Sequence, residues 1–102
     1  MFIRIVKMEF KTHKVQQFLD NFETVKEKIR TFPGCLHLEL YRDKQHQHIF
    51  FTYSKWKEES DLENYRNSAL FKDVWSETKP MFSNKAAAWS VDVLHQLDET
   101  MF

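Results

Sequence analysis

The chain has little of three residue types that often mark a class of protein: one cysteine, one glycine and two prolines among 102 residues. The lone Cys35 excludes an internal disulfide. Because small secreted domains usually carry paired cysteines, we expect a reducing, cytoplasmic location. The lone Gly34 excludes the glycine-rich loops that hold nucleotide phosphates, so no nucleotide cofactor is expected.

An excess of one charge is also missing. Fifteen Lys and Arg residues balance fifteen Asp and Glu residues, so the formal net charge is zero. A neutral chain lacks the electrostatic attraction that favours nucleic acid or an anionic membrane surface. Residues 1–7 lack the apolar core of a signal peptide, and no apolar run approaches the ~20 residues of a transmembrane helix. We therefore expect no nucleic-acid partner and no membrane partner.

Aromatic side chains, in contrast, make up 16% of the chain. The length fits a single domain over residues 1–102, with a core at about 2–95 and a tail of uncertain order at 96–102. Aromatic rings give a small core much burial per residue, and they also line pockets for flat organic ligands. Composition favours the core interpretation and leaves the pocket open.

Alternating apolar residues predict strands, and apolar residues at helical spacing predict helices between them. The strands are expected at 2–10, 35–42, 49–55 and 87–95. A helix is expected from about Lys14 to Thr31, with Thr12 as its N-cap. Its apolar stripe consists of Val15, Phe18, Leu19, Phe22, Val25, Ile29 and Phe32.

Two shorter helices are predicted between the third and fourth strands. The acidic segment 58–61 suits a helix N-terminus, because carboxylates interact favourably with the helix dipole. Asn67 or Ser68 is expected to cap the next helix, and Pro80 is expected to end it near Lys79. The order β-α-β-β-(αα)-β is the ferredoxin-like pattern, an α+β fold with its helices on one side of an antiparallel sheet.

The predicted sheet is apolar on both faces. In the first strand, Val6 and Met8 share one parity, and Ile3 and Ile5 share the other. Because the helices cover only one face, the second apolar face needs a cover of its own. A second copy of the chain, related by a two-fold axis, is the simplest cover. We therefore expect a homodimer.

Few polar residues suggest chemistry. His37 and Glu39 share one face of the second strand, where such a pair is able to act as base and orienter. The favoured interpretation is nevertheless a partly exposed pair or an interface hydrogen bond. His13, His46 and His48 have no acidic or cysteine partner at metal-ligand spacing, so no metal site is predicted.

A spacing that begins at the end of the third strand resembles that of a known family. It runs Trp56-x5-Leu62-x2-Tyr65-x2-Ser68-x2-Phe71, and Phe32-Pro33-Gly34-Cys35 stands before the second strand. With these segments the chain resembles the antibiotic biosynthesis monooxygenase family, from Ile3 to about Leu94. The resemblance implies a ferredoxin-like fold whose sheets pair into a dimeric α/β barrel.

Family members include oxygenases that oxidise phenolic polycycles or quinols with O2, without metal or flavin. Others degrade haem, isomerise small metabolites or have no assigned activity.

The family's pocket lies between helices and sheet within one subunit. The resemblance implies a wall and a floor for this pocket, formed by Trp56, Tyr65, Phe71 and Trp75, and by Val6 and Met8. Tyr65 and Trp56 are then the candidate catalytic residues. Tyr65 and Ser68 are expected to orient the substrate oxygen, and Trp75 is expected to stack on the substrate.

Two alternatives stay open at this point. The same rings are able to pack as ordinary core between helices and sheet, or the fold is able to serve a binding or scavenging protein for a small hydrophobic ligand. Haem-degrading relatives have an Asn on strand one and a His ligand in the last helix, where this chain has Val6 and Trp75. No haem turnover is therefore expected.

Overall fold

The computed structural model describes residues 1–97, and its elements follow the predicted order. The strands are β1 (Phe2–Phe10), β2 (Cys35–Arg42), β3 (Ile49–Trp56) and β4 (Phe82–Val91). The α-helices are α1 (Val15–Arg30), α2 (Glu59–Arg66) and α3 (Ala69–Thr78), and 3-10 turns lie at Thr12–Lys14 and Lys79–Met81. The prediction of an α+β, ferredoxin-like fold is confirmed.

All neighbouring strands of the sheet are antiparallel, in the order β2-β3-β1-β4. The register pairs Val6 of β1 with Thr52 of β3 on one side and with Ala88 of β4 on the other. Side chains alternate across a strand, so the even-numbered residues of β1 face the helices and the odd-numbered residues face away. We call the side turned away from the helices the open face.

Helix α1 packs its apolar stripe on the sheet, and Phe18 and Ile29 are buried there. The prediction that Thr12 is its N-cap is wrong. Thr12 opens a 3-10 turn, and Lys14 stands at the N-cap position without a side-chain capping bond. The backbone N–H of Lys14 donates to the carbonyl of Lys11 at 2.8 Å, so the 3-10 turn leads into the helix without a hydroxyl cap.

The short helices begin as predicted. Before α2, the backbone N–H of Glu58 donates to Oδ2 of Asp61 at 3.1 Å, which is one half of a capping box. Before α3, Oγ of Ser68 accepts from the backbone N–H of Phe71 at 3.1 Å. Helix α3 ends just before Pro80, which lies in the following 3-10 turn.

Two apolar clusters fill the layer between the helices and the sheet. The first surrounds Trp56, which is 1% exposed, and includes Phe2, Ile29, Cys35, Leu62 and Tyr65. The second surrounds Phe10, which is 0% exposed, and includes Met8, Phe18, Phe50 and Met81. The clusters lie toward opposite ends of β1, because Phe2 belongs to one and Phe10 to the other.

The predicted limits of the last strand, 87–95, are wrong. Strand β4 begins at Phe82 and ends at Val91. Its first half carries the exposed residues Ser83, Asn84 and Lys85. Because β4 is an edge strand, this half lacks the alternation of apolar residues by which a strand is recognised in the sequence. Residues 92–97 have no regular secondary structure, and the remainder of the predicted tail, 98–102, lies outside the described residues.

The turn before β2 depends on Gly34, whose φ is +89°. A Cβ at this position would lie 2.2 Å from Cγ of Asp61. We expect Gly34→Ala to lower the free energy of unfolding by at least about 2 kcal/mol, because the left-handed backbone strain and the clash add. Urea denaturation measures this loss.

A double-mutant cycle tests the cause. In Gly34→Ala/Asp61→Gly, the atoms that clash are gone, so the loss should be smaller than the sum of the two single losses. Simple additivity would contradict the contact between the two positions.

Candidate functional site

A cavity of about 380 Å³ lies between the helices and the helix-facing side of the sheet. All four strands contribute to its floor, with Leu38 as the residue from β2, and all three helices contribute to its walls. The predicted residues that line it are Val6, Met8, Trp56, Tyr65, Phe71 and Trp75. The sequence therefore predicted side chains that the fold brings together around one space.

A row of aromatic rings forms one wall of the cavity. The rings of Trp56 and Tyr65 are stacked, with centroids 5.2 Å apart and planes 30° apart. Phe71 meets Tyr65 edge-on at 5.2 Å, and Trp75 lies 5.7 Å from Phe71. The row begins in the core at Trp56 and ends at Trp75, which is only partly buried. One wall thus offers ring faces and edges to a flat ligand.

The indole N–H of Trp56 is already used within the protein. It donates to Oγ of Ser54 at 3.0 Å, and Ser54 Oγ lies 3.4 Å from the carbonyl oxygen of Arg4, to which it donates. Trp56 therefore gives the cavity its ring and not its hydrogen-bond donor. Ser54 and Thr52 also line the cavity and bring hydroxyl groups to its floor.

Tyr65 combines burial with a free polar atom. Its side chain is 9% exposed, and burial raises the pKa of its phenol to about 12. Among residues 1–97, no protein group forms a hydrogen bond with its hydroxyl, and no enclosed side-chain oxygen or nitrogen lacks a partner, so this hydroxyl oxygen is accessible from the cavity. Its carbonyl accepts from Oγ of Ser68 at 2.6 Å. The hydroxyl is consequently protonated at neutral pH and able to donate to a ligand.

Ser68 lies outside the lining of this cavity. Its hydroxyl joins the two short helices: it donates to the carbonyl of Tyr65 and accepts from the backbone N–H of Phe71. The side chain thereby holds the end of α2 against the start of α3. Since Tyr65 and Phe71 both line the cavity, Ser68 positions two of its rings.

His37 and Glu39 lie on the open face, on the other side of the sheet from the cavity. Nε2 of His37 is 2.5 Å from Oε1 of Glu39, and the hydroxyl of Tyr41 donates to Oε2 of the same carboxylate. The bonds from Tyr41 and His37 lower the pKa of Glu39, and the bond to Glu39 raises the pKa of Tyr41 to about 12. The pair is a hydrogen-bonded surface cluster that does not reach the cavity.

The remaining candidates lie apart from the cavity. Cys35 is buried in the first cluster, and burial raises the pKa of its thiol. His46 and His48 lie in the turn between β2 and β3, with ring centroids 6.3 Å apart. Within residues 1–97, no group of three potential metal ligands comes together.

Three cations that the sequence analysis missed line the cavity: Arg4 on β1, Arg66 at the end of α2, and Lys79 after α3. Nη1 of Arg4 donates to Oγ of Ser90 on β4 at 3.0 Å. Burial, and secondly the charge of Arg66, lower the pKa of Arg4. A signal was present in the sequence, because Arg4 has the same parity as Val6 and must therefore face the helices.

The cavity contains hydrogen-bond donors and positive charge but no carboxylate and no imidazole. Its lining residues include no Asp, Glu or His. It is thus equipped to bind and orient a flat ligand that accepts hydrogen bonds. It is not equipped for proton abstraction by one of its own carboxylates or imidazoles.

The fold and the cavity define a class of protein: a ferredoxin-like α+β domain with an aromatic cavity between its helices and its sheet. The model of the antibiotic biosynthesis monooxygenase family matches residues 1–75, from the first strand into α3. The chain belongs to the antibiotic biosynthesis monooxygenase family.

Solved structures share the fold. A crystal structure described as an antibiotic biosynthesis monooxygenase is 18% identical, with a TM-score of 0.87 over 93% of this chain and 100% of that chain. A conserved protein of Methanosarcina mazei Go1 is 22% identical, with a TM-score of 0.84 over 90% of this chain and 92% of that chain. Rv0793 of Mycobacterium tuberculosis is 11% identical, with a TM-score of 0.85 over 95% of this chain and 98% of that chain.

At these identities the solved structures establish the fold and nothing finer. Curated proteins include no significant match to this chain. Within residues 1–97, none of the helices has both the length and the hydropathy that a bilayer span requires.

Proposed function

We propose that the protein is a small monooxygenase that acts with O2 on a flat phenolic or quinol substrate in the aromatic cavity, without a bound cofactor. One observation carries the proposal: a cavity of about 380 Å³ in a member of this family is walled by aromatic rings and holds an unpartnered, protonated Tyr65 hydroxyl. A volume of this size suits a small aromatic molecule.

The proposed reaction needs no electron donor besides the substrate. An anthrone-type substrate loses a proton to form an electron-rich enolate, which passes electrons to O2. The methylene carbon then takes one oxygen atom and becomes a carbonyl group, while the other oxygen leaves as water with two hydrogens. The substrate is oxidised by four electrons in total, and O2 is reduced by four.

Each proposed residue has a separate task. Tyr65 donates its hydroxyl proton to a hydrogen bond on the substrate oxygen, and Trp75 stacks on the substrate ring at the open end of the aromatic row. Trp56 and Phe71 shape the wall, with the Trp56 indole N–H held by Ser54. Val6 and Met8 form the apolar floor of the cavity with Ala88.

The test of this function is O2 consumption. An oxygen electrode should record uptake when the protein meets a panel of anthrones and hydroquinones, in stoichiometric ratio to the oxidised product. A panel on which no member is oxidised would favour the second candidate function. The observation that favours that candidate is the lack of Asp, Glu and His in the cavity lining, which suits a protein that binds a small hydrophobic ligand without turning it over.

We further propose that two copies of the chain pair through their open faces. The central row of that face is Tyr53, Ile5 and Trp89, side by side on three strands. Trp89 is 49% exposed, and Phe51 and Ile5 are only partly buried. Because soluble monomers rarely leave a contiguous apolar surface of this kind uncovered, a second copy is the proposed cover. A cytoplasmic location stays a prediction from the single cysteine.

Introducing a charge into the open face should separate the two copies. The wild type should run near twice its 12.5 kDa mass, and Ile5→Lys should run as a monomer or aggregate, because a buried unpaired ammonium is costly. Light scattering coupled to gel filtration measures the mass. Asn64→Lys, an exposed position on α2, is the matched control and should leave the mass unchanged. A wild-type monomer at micromolar concentration would contradict the pairing.

A further inference from the structure

The charge of the cavity lining differs from the charge of the chain. The whole chain has equal numbers of cationic and acidic residues. The lining of the cavity contains Arg4, Arg66 and Lys79 and no carboxylate. Within residues 1–97, none of these three cations forms a salt bridge, since the pairs present are Lys26 with Glu23 and His37 with Glu39.

Arg4 lies on the cavity floor, on β1. It pairs across the sheet with Ser54 of β3 and with Ser90 of β4, and it faces the helices with Val6. One of its five N–H groups is used by the hydroxyl of Ser90. The partly buried guanidinium therefore has unused donors and no counter-charge among the described residues.

Arg66 reaches the same cavity from the opposite layer, at the last residue of α2. Its charge is close enough to Arg4 to lower the pKa of that residue, although burial is the larger cause. Two like charges that share a partly desolvated space repel each other, and an anion placed between them removes the repulsion. Guanidinium groups also bind oxygen anions with charge-assisted hydrogen bonds.

We infer that the cavity binds its ligand as an oxygen anion, a phenolate or an enolate, with Arg4 and Arg66 as the counter-charges. Lys79 adds a third positive charge at the side of α3. Tyr65, the remaining titratable group near the proposed oxygen, is neutral and donates a hydrogen bond. This inference deepens the proposed function and rests on the same cavity.

The inference explains how a cavity without a base is able to promote oxidation. Cations around the ligand lower the ligand's own pKa, so the proton leaves to water and no carboxylate of the protein has to accept it. The resulting anion is the electron-rich species that reacts with O2. Specificity follows as well, because an isosteric ligand without an acidic hydroxyl gains nothing from the two guanidinium groups.

Alizarin is a suitable probe, because it is a flat hydroxylated polycycle whose colour changes from yellow to red when it ionises. The experiment titrates alizarin with pH in the presence and absence of saturating protein. With the wild type, the pKa of bound alizarin should fall by about one unit or more, a tenfold change in its ionisation constant. Arg4→Gln and Arg66→Gln should each reduce that shift, and the double variant should abolish it.

Lys72→Gln is the control, since Lys72 is an exposed cation of α3 that does not line the cavity. It should keep the wild-type shift. If Arg4→Gln fails to fold, Arg66→Gln carries the test, because Arg66 is exposed and its replacement should leave the core intact. In the wild type, raising the salt concentration should reduce the shift, because Arg66 is exposed and its charge is screened by salt.

Three results would overturn the inference: an unchanged or raised pKa of bound alizarin, a shift that survives in the double variant, or no binding of alizarin. None of these depends on O2 consumption. A lowered pKa without O2 uptake on the substrate panel would support the inference and overturn the proposed oxygenase. O2 uptake with an unshifted alizarin pKa would support the proposed oxygenase and overturn the inference about the two arginines.

Discussion

Replacing Tyr65 with Phe should lower kcat/KM for O2-dependent oxidation of an anthrone about 100-fold, because one preorganised hydrogen-bond donor to the developing oxygen anion is lost. The free energy of unfolding should change by less than about 0.5 kcal/mol below pH 9. The hydroxyl has no partner among residues 1–97, so its removal breaks no hydrogen bond there, and the ring stays in its stack with Trp56. Oxygen-electrode rates and urea denaturation measure the two quantities.

The pH dependence of the free energy of unfolding tests the burial of the Tyr65 phenol with the same variant. The pKa of Tyr65 is raised from 10.0 to about 12 by burial. The stability that comes from keeping this phenol neutral is therefore fully present below pH 10 and is lost as the pH rises toward about 12. Wild type should lose more stability over that interval than Tyr65→Phe. Equal oxidation rates in the two proteins would remove Tyr65 from the mechanism.

Replacing Trp56 with Ala should cost about 3–5 kcal/mol of the free energy of unfolding, which is a large part of the stability of a domain this small. Trp56 is 1% exposed, stacks on Tyr65, and holds Ser54 through its indole N–H. Truncation leaves a void in the first core cluster and removes one hydrogen bond. Urea denaturation at fixed protein concentration measures the loss, with the concentration held constant because the proposed pairing of copies would add stability.

Trp75→Ala is the matched comparison, because it removes the same side chain from the other end of the aromatic row. Trp75 is only partly buried and faces the cavity, so its loss should cost about half as much or less. Its effect should instead appear as weaker binding of the flat substrate. Equal destabilisation by the two substitutions would mean that both rings are core and would argue against the cavity as a site.

Strands and short helices with a strong local pattern could be predicted closely from the sequence. The limits of β1 and β2 match the prediction at both ends, because their apolar residues alternate between turn signals. The N-cap of α3 could be narrowed to Asn67 or Ser68, because both side chains are able to accept a hydrogen bond from a helix N–H, and the structure has Ser68 there. The polar first half of β4 could not be predicted, since a strand at the edge of the sheet is defined by its backbone pairing with β1 and not by its side chains.

Some residues of the candidate site could likewise be predicted from the sequence, and others could not. The aromatic wall around Tyr65 could be predicted from the family spacing, because helical periodicity places those rings on one side of α2 and α3. The cations could not, since Arg4 and Arg66 are 62 positions apart in the sequence and line one cavity only because α2 packs against the sheet at β3. Arg4 nevertheless has the parity of the core-facing residues of β1. A charged side chain at such a position is costly to bury without a partner, so it indicates a polar group or an open cavity beside it.

The backbone around the cavity should allow its lining side chains to be exchanged freely. Among residues 1–97, Gly34 is the one position with positive φ, and it lies in a turn outside the cavity lining. Every lining residue therefore sits on helix or strand backbone, or on the short turn at Lys79, whose conformation any L-amino acid adopts. Exchange of side chains alone is enough to reshape the cavity, without loop insertion or glycine replacement. Saturation libraries at Val6, Phe71 and Val74 should consequently return a high fraction of folded proteins, which makes this small domain a convenient starting scaffold for evolving new ligand specificities.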